Sequence, residues 1–289
     1  MKLFVALLLS CAVCAGTSAQ SLYETGASHP KAPAVPAYMV FADDTVRFDR
    51  QDFYERMDRE LISFTYMHTN TTLMLKRSKR YFTIVEPILK QQGVPDDFKY
   101  LMAIESNLDP KALSGAGAAG LWQIMKSTGQ AHGLEVNTEV DERYNIEKET
   151  VAACEYFKEA YGKFGDWLTA AASYNAGQNG IARRLESQRQ TTALELWMTE
   201  ETSRYIFRLL AAKMLFSDPS AFGFDITEAD MYPCLAPRKT VTVSGPVPSL
   251  VDFAEENGVS YKALKEANLW LRSDKLSNRS GKTYKIAIP

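Results

Sequence analysis

Apolar positions recur at helical spacing from Asp52 to about Ser217. Phe53, Met57, Leu61, Phe64 and then Met67 or His68 fall on one face of a first helix. Tyr81, Ile84, Val85, Ile88 and Leu89 form a second stripe, which Gly93 and Pro95 stop. Pro95-Asp96-Asp97 then opens a helix through Phe98, Leu101, Met102 and Glu105. A proline in the first turn and acids near the positive end of the dipole favour that start. Helices are also predicted from Asn145 to Phe164, Asp166 to Tyr174 and Thr199 to Phe216. Few alternating β-branched runs interrupt this region, so it reads as mainly α.

The pattern changes near residues 218–240, where Pro219, Pro233 and Pro237 interrupt it, with Pro246 and Pro248 soon after. Thr240 to Val243 alternates like a strand. Leu250 to Glu256 and Tyr261 to Ala267 read as short helices, the first ended by Asn257-Gly258, and Tyr284 to Ile288 alternates again. A β-α-α-β unit of about fifty residues has room for only a small core. Residues 20–42, with Pro30, Pro33 and Pro36 among Ala, Ser and Gly, read as an extended leader. The expected organisation is a signal over 1–19, the leader over 20–42, a helical domain over 43–217, a linker over 218–238 and the β-α-α-β unit over 239–289.

The amino terminus explains the signal. Lys2 precedes an apolar run from Leu3 to Val13, and Thr17-Ser18-Ala19 offers small residues for cleavage before Gln20. The run is short for a bilayer span. Leu8-Leu9-Ser10-Cys11 resembles a lipoprotein box, and lipid on Cys11 is the one membrane attachment the sequence offers. The expectation is an exported protein of the periplasm or cell envelope, and an outer-membrane lipoprotein if that box is used.

Composition narrows the classes. The 289 residues are 46% apolar and 24% charged, as in ordinary globular proteins. A net charge of −2 implies no general affinity for nucleic acid. The three His and the two Cys beyond the signal are scattered, so no metal-ligand spacing exists, and no cofactor motif stands out. Cys154 lies in a helical apolar pattern and reads as a buried thiol, with a Cys154–Cys234 disulfide as the alternative in an oxidising compartment. Nothing indicates an oligomer.

The chemistry gathers around Ile104-Glu105-Ser106-Asn107-Leu108. On a helix Glu105 shares a face with Leu101, Met102 and Leu108. Desolvation there disfavours the carboxylate and raises its pKa, as a general acid at neutral pH requires. Position alone leaves open an acid that points to water or pairs with Lys or Arg. Gly115-Ala116-Gly117-Ala118-Ala119-Gly120 matches G-x-G-x-x-G, but a helix rather than a strand precedes it, so a tight turn is favoured over a nucleotide loop. Trp122 and Ile124 of Leu121-Trp122-Gln123-Ile124-Met125 serve equally well as core, whereas the Gln123 amide needs partners that sugar hydroxyl and N-acetyl groups supply. Ala170 to Gly177 is either a helix end capped by Asn175 and Gly177 or a segment presenting Tyr174 and Asn175 to a cleft. Tyr205, in Glu201-Thr202-Ser203-Arg204-Tyr205-Ile206, reads equally as core with a satisfied hydroxyl.

Together these segments resemble the catalytic domain of the bacterial soluble-type lytic transglycosylases, which share the goose-type lysozyme fold. The likeness covers about residues 80–217 and rests on four motifs in order: Glu105-Ser106; Ser114 with Gly-Ala-x-Gly-Leu-x-Gln-x-Met ending at Met125; Ala-x-Tyr-Asn-Ala-Gly around Tyr174; and Glu-Thr-x-x-Tyr at Tyr205. The resemblance implies a mainly α, lysozyme-like catalytic domain with Glu105 as acid and base. It implies substrate contacts at Ser106, Ser114, Gln123 and Asn175, a cleft wall at Met125, and orienting roles for Tyr174 and Tyr205. The terminal unit resembles a lysin-motif (LysM) domain, a binder of N-acetylglucosamine glycans. Asn268 and the closing Ile286-Ala287-Ile288-Pro289 fit it, while the first loop departs as Gly245-Pro246-Val247-Pro248-Ser249-Leu250. A packing module without glycan affinity is the other reading.

The implied partner is the peptidoglycan strand, and the implied reaction cleaves the β-1,4 bond between N-acetylmuramic acid and N-acetylglucosamine to give 1,6-anhydromuramic ends without a cofactor. A hydrolytic muramidase is the close alternative. It needs a second carboxylate, for which Asp141 and Asp166 are the candidates. A catalytically silent peptidoglycan-binding protein is the other.

Overall fold

The structure is a computed structural model and describes residues 31–289. The signal, Cys11 and the first part of the leader lie outside the described residues.

The leader does not run on to residue 42. Tyr38–Phe41 (β1) and Asp44–Arg47 (β2) pair as an antiparallel hairpin, with Phe41 opposite Asp44. Phe41 and Val46 are buried, and the Phe41 ring meets Phe98 edge-on at 5.4 Å. The prolines end at Pro36, and the strand that follows turns Phe41 and, in part, Met39 into the core while Tyr38 and Val40 stay exposed. Phe41→Ala is therefore expected to cost about 3–5 kcal/mol in urea unfolding; a silent substitution would return the segment to a leader.

The helices follow the apolar stripes. They are α1 (Gln51–Tyr66), α2 (His68–Gln92), α3 (Phe98–Ser106), α4 (Lys126–Ala131), α5 (Ile146–Phe164), α6 (Trp167–Ala176), α7 (Gln178–Gln188) and α8 (Glu200–Ser217). Gly93 ends α2 at φ +70. Asn145 and Asp166 cap α5 and α6 with their side chains. The short α3 sits inside, against α2 and α8, while α5 packs on α2 and α6. Phe98 lies among Phe41, Phe157 and Trp167 at the centre of the core.

The expected linker also packs. Residues 219–222 form a 3-10 turn, and Phe222 and Phe224 join the helical core. Further on, Tyr232 N–H donates to Lys76 O at 2.7 Å and Arg80 Nε to Pro233 O at 2.9 Å, which holds the segment against α2. Proline there directs the chain rather than freeing it. Cys154 is buried and Cys234 exposed, and both are free thiols, so the disulfide does not form. Burial pushes the Cys154 thiol up to about 12.

The terminal unit is a two-stranded antiparallel sheet, β3 (Lys239–Val243) with β4 (Tyr284–Ile288), crossed by α9 (Leu250–Glu256) and α10 (Tyr261–Ala267). Asn268 is internal to it, donating to Leu264 O and Ala287 O and accepting from Ala287 N–H. This unit is docked. Its core runs into Ala119, Val140 and Tyr144 of the helical part. Asp141 N–H donates to Trp270 O at 2.9 Å, Arg272 N–H to Glu139 O at 2.8 Å, and Ser277 N–H and Oγ to the Glu139 carboxylate. Among the described residues no helix is long and apolar enough to cross a membrane.

Candidate active site

α3 carries Glu105 one residue before its end. Leu101 and Met102 anchor the helix in the core, and Asn107 and Leu108, at φ 51 and 53, turn the chain out of it. A leucine avoids this left-handed conformation by about 1–2 kcal/mol. Complete burial of the Leu108 side chain offsets that cost.

Glu105 faces a cleft of about 440 Å³, shared with Asn175 of α6 and with Glu201, Arg204, Tyr205 and Arg208 of α8. The Tyr205 hydroxyl donates to Glu105 Oε1 at 2.5 Å. Among the described residues it is the carboxyl's one hydrogen bond, so Oε2 is left to carry a proton. Burial raises the Glu105 pKa from 4.5 to about 7; the Tyr205 bond and the Arg208 charge pull it down, and Glu201 pushes it up. Near neutral pH the group holds its proton half the time, the condition that suits a general acid. Burial, and then the charge of Glu105, holds the Tyr205 phenol well above its usual range, so it stays a neutral donor.

The cleft arginines are fixed from behind. Glu60 on α1 is buried and takes Arg204 Nε at 2.5 Å and Arg208 Nε at 3.2 Å. Burial of a lone carboxylate is costly, and two guanidinium partners offset it.

The glycine-rich segment forms a compact loop beside α3. Bridges join Leu113 to Ala119 and Ala119 to Ile124. Ser114 Oγ accepts from Ala118 N–H at 3.0 Å. Gln123, at φ 50, donates through Nε2 to Gly120 O at 2.8 Å and Ala112 O at 3.3 Å. The partners expected from a sugar are thus provided, for that nitrogen, by the loop's own carbonyls. Trp122 is buried, with Nε1 donating to Thr150 Oγ1 at 2.9 Å. Tyr174 donates its hydroxyl to Trp122 O at 2.7 Å, linking α6 to the loop.

Of the sequence candidates, Glu105, Tyr205 and Asn175 come together in the cleft. Ser114, Gln123 and the half-exposed Met125 lie on the loop, and Tyr174 ties that loop down. Ser106 is buried, its hydroxyl on Met102 O at 3.2 Å. Asp141 and Asp166 stay outside the cleft. Asp141 pairs with Arg143 at 2.7 Å, and Asp166 caps α6 beside Asp44, whose pKa rises to about 6 through burial and then through Asp166.

Sequence reasoning missed two sets of residues. Glu201, Arg204 and Arg208 surround Tyr205 at i−4, i−1 and i+3, and that spacing on one face of α8 is a signal that could have found them. Arg143 and Glu149 gave no such signal. Arg143 Nη1 donates to Gly117 O at 2.8 Å and Ile124 O at 3.1 Å, while Glu149, fully buried and with its pKa far above the usual range through that burial, accepts from Trp122 N–H at 3.1 Å. Both brace the loop from below.

Two family matches fit this geometry. Residues 83–196 match the Transglycosylase SLT domain, and residues 239–289 match the Soluble lytic transglycosylase C-terminal LysM-like domain. Membrane-bound lytic murein transglycosylase D of Escherichia coli (strain K12) is 28% identical over 240 residues, covering 81% of this chain and 51% of that protein. A putative tributyltin chloride resistance protein of Alteromonas sp. (strain M-1) is 24% identical over 123 residues, 42% of this chain and 59% of its own length. The chain thus spans about half the length of the curated relatives it matches. Among solved structures, the 70 kDa soluble lytic transglycosylase of Escherichia coli aligns at 16% identity and a TM-score of 0.42, covering 65% of this chain and 34% of that one. An inactive mutant of lytic transglycosylase Slt from Pseudomonas aeruginosa aligns at 20% and 0.41, over 53% and 26%. By these matches the chain carries a transglycosylase SLT domain followed by a C-terminal LysM-like domain, and it is homologous to the Escherichia coli murein transglycosylase.

Proposed function

We propose that this chain is a peptidoglycan lytic transglycosylase acting at the cell envelope. The observation that carries the reading is the half-buried Glu105 carboxyl, with a pKa of about 7, lining a cleft with Tyr205 bonded to one of its oxygens. Protonated Glu105 gives its proton from Oε2 to the glycosidic oxygen, and the bond from that oxygen to the muramyl C1 breaks. The substrate's N-acetyl group stabilises the cation at C1. Glu105, now a carboxylate, takes the proton of the muramyl C6 hydroxyl, whose oxygen bonds to C1 and closes the 1,6-anhydro ring. Glu105 ends protonated. Positioned proton transfer of this kind supplies about 10²–10⁴ in rate, and alignment in the cleft supplies more. Asn175 and the loop residues Ser114, Gln123 and Met125 are the proposed sugar contacts, with Ser106 beneath them, and Tyr174 and Tyr205 hold loop and acid in place.

Glu201 supports a second reading. It lines the cleft, where a muramidase would need a base to activate water. Digesting purified peptidoglycan in water labelled with heavy oxygen separates the two. Anhydro-muropeptides without label are expected. Labelled reducing ends that disappear in Glu201→Gln would make the protein a hydrolase.

Tyr205→Phe gives a further expected result. The lost bond favoured the carboxylate, so the Glu105 pKa should rise above about 7 and carry the alkaline limb of the pH–rate profile upward. The maximal rate should fall about 10–100-fold through lost orientation. An unmoved limb would detach Tyr205 from the acid.

A further inference from the structure

A second concavity lies where the docked LysM-like unit meets the helical part. It is a groove of about 520 Å³ between α10 and Lys111, in the segment that follows α3. Its cations come from both parts: Lys111 from one, Lys262, Lys265 and Arg272 from the other, against the single carboxylate of Glu266. Tyr261 and Leu269 provide apolar wall.

The positive charge is poorly neutralised. Lys262 reaches Glu266 only at 4.0 Å, in an exposed pair that contributes little. Among the described residues Lys111 and Arg272 have no carboxylate within ion-pair range. Lys265 Nζ is held by the carbonyls of Leu271 and Ser273, and Arg272 lies over the Tyr144 ring at 4.4 Å. Burial, and then the charge of Arg272, lowers the Lys265 pKa, against the opposing pull of Asp274. In a chain of net charge −2 this is a local concentration.

The groove is also tied to the catalytic loop. Lys111 stands between Glu105 and Ser114, and the adjoining Ala112 O accepts from Gly120 N–H at 3.1 Å and from Gln123 Nε2.

We infer that this composite groove binds the carboxylate-bearing peptide stems of the peptidoglycan strand, so that the docked unit reads peptide as well as sugar. The inference rests on the peptidoglycan reading of the cleft. Cations with an apolar wall suit a short acidic peptide with aliphatic side chains. Neutral N-acetylglucosamine alone would leave the charges of Lys111 and Arg272 without a carboxylate partner.

The test uses the full chain carrying Glu105→Gln, so that binding is read without turnover. Retention is compared on intact sacculi and on glycan strands stripped of peptide by an amidase, at low and high salt. Lys111→Glu with Lys262→Glu should weaken binding to intact sacculi about tenfold, most at low salt, and bring it down to the level of stripped strands. Lys90→Glu with Lys163→Glu, two exposed reversals on α2 and α5, controls for total charge. Equal losses on both polymers, no loss on either, or no retention on either would overturn the groove. Absence of anhydro product from the unsubstituted chain would overturn the cleft reading instead, and the retention comparison would still decide the groove.

Discussion

Glu105→Gln is expected to lower anhydro-muropeptide release by about 10²–10⁴-fold, because an amide can neither give the proton to the leaving oxygen nor recover one from the C6 hydroxyl. Mass spectrometry of digested sacculi reads this directly, and equal release by both proteins would remove Glu105 from the mechanism. The same substitution should stabilise the fold. A carboxyl whose pKa rises from 4.5 unfolded to about 7 folded keeps its proton in the native state after the unfolded chain has lost it. Native stability is therefore undiminished by this group below pH 4.5, falls as pH rises through that window, and is lower by about 3 kcal/mol above it. Gln at this position removes the penalty. Urea midpoints of the two proteins should coincide near pH 4 and separate progressively up to about pH 7. The wild-type rate should fall above about pH 7, where the acid loses its proton. A midpoint difference that did not change with pH would place Glu105 in water.

Gly120→Ala is expected to cost about 3–5 kcal/mol and to remove activity with it. Gly120 sits at φ +82, and a Cβ there would lie 1.8 Å from the Arg143 carbonyl oxygen and 2.3 Å from Glu149 Oε2. One of these is backbone and the other a buried carboxyl bonded to Trp122, so neither can yield without moving the loop that holds Gln123. Gly117→Ala supplies the comparison. Its φ is +87, yet nothing lies within 4 Å of the added carbon, so it should cost only the backbone strain of about 1–2 kcal/mol. Denaturant unfolding of both variants separates close approach from conformation. Similar losses would mean that φ alone selects glycine along this loop.

Legibility varied with the range of the forces involved. The apolar stripes placed α5, α6 and α8 within one or two residues and gave α9, α10 and β4 their observed bounds, because 3.6-residue and 2-residue periods are written in neighbouring positions. The breakers Gly93 and Asn257-Gly258 acted where they stand. The exposed α7 went unread, since Ile181 is its one buried side chain and leaves no stripe. The β1–β2 hairpin and the packed segment from Pro219 to Pro233 were missed for the opposite reason. Proline and small residues mark both as irregular, but Phe41, Phe222 and Phe224 find their burial against helices far away in the chain.

The site divides in the same way. Local sequence determined that an acid would close an apolar helix, that glycines would follow it, and that one tyrosine would lie at the end of a later helix and another within the next long one. Only the tertiary structure decided that Tyr205 meets Glu105 from 100 residues away and that Glu201 shares the cleft. Tertiary packing also set the demand for glycine at Gly120, through Arg143 and Glu149 pressing on the loop from below. It decided, too, that the terminal unit docks through residues 135–144 and so builds a groove with Lys111. Periodicity, caps and turns depend on neighbours along the chain and can be read from it. The pKa of a carboxyl, the partner of a hydroxyl and the room for a Cβ depend on groups brought close by folding, and no local pattern records them.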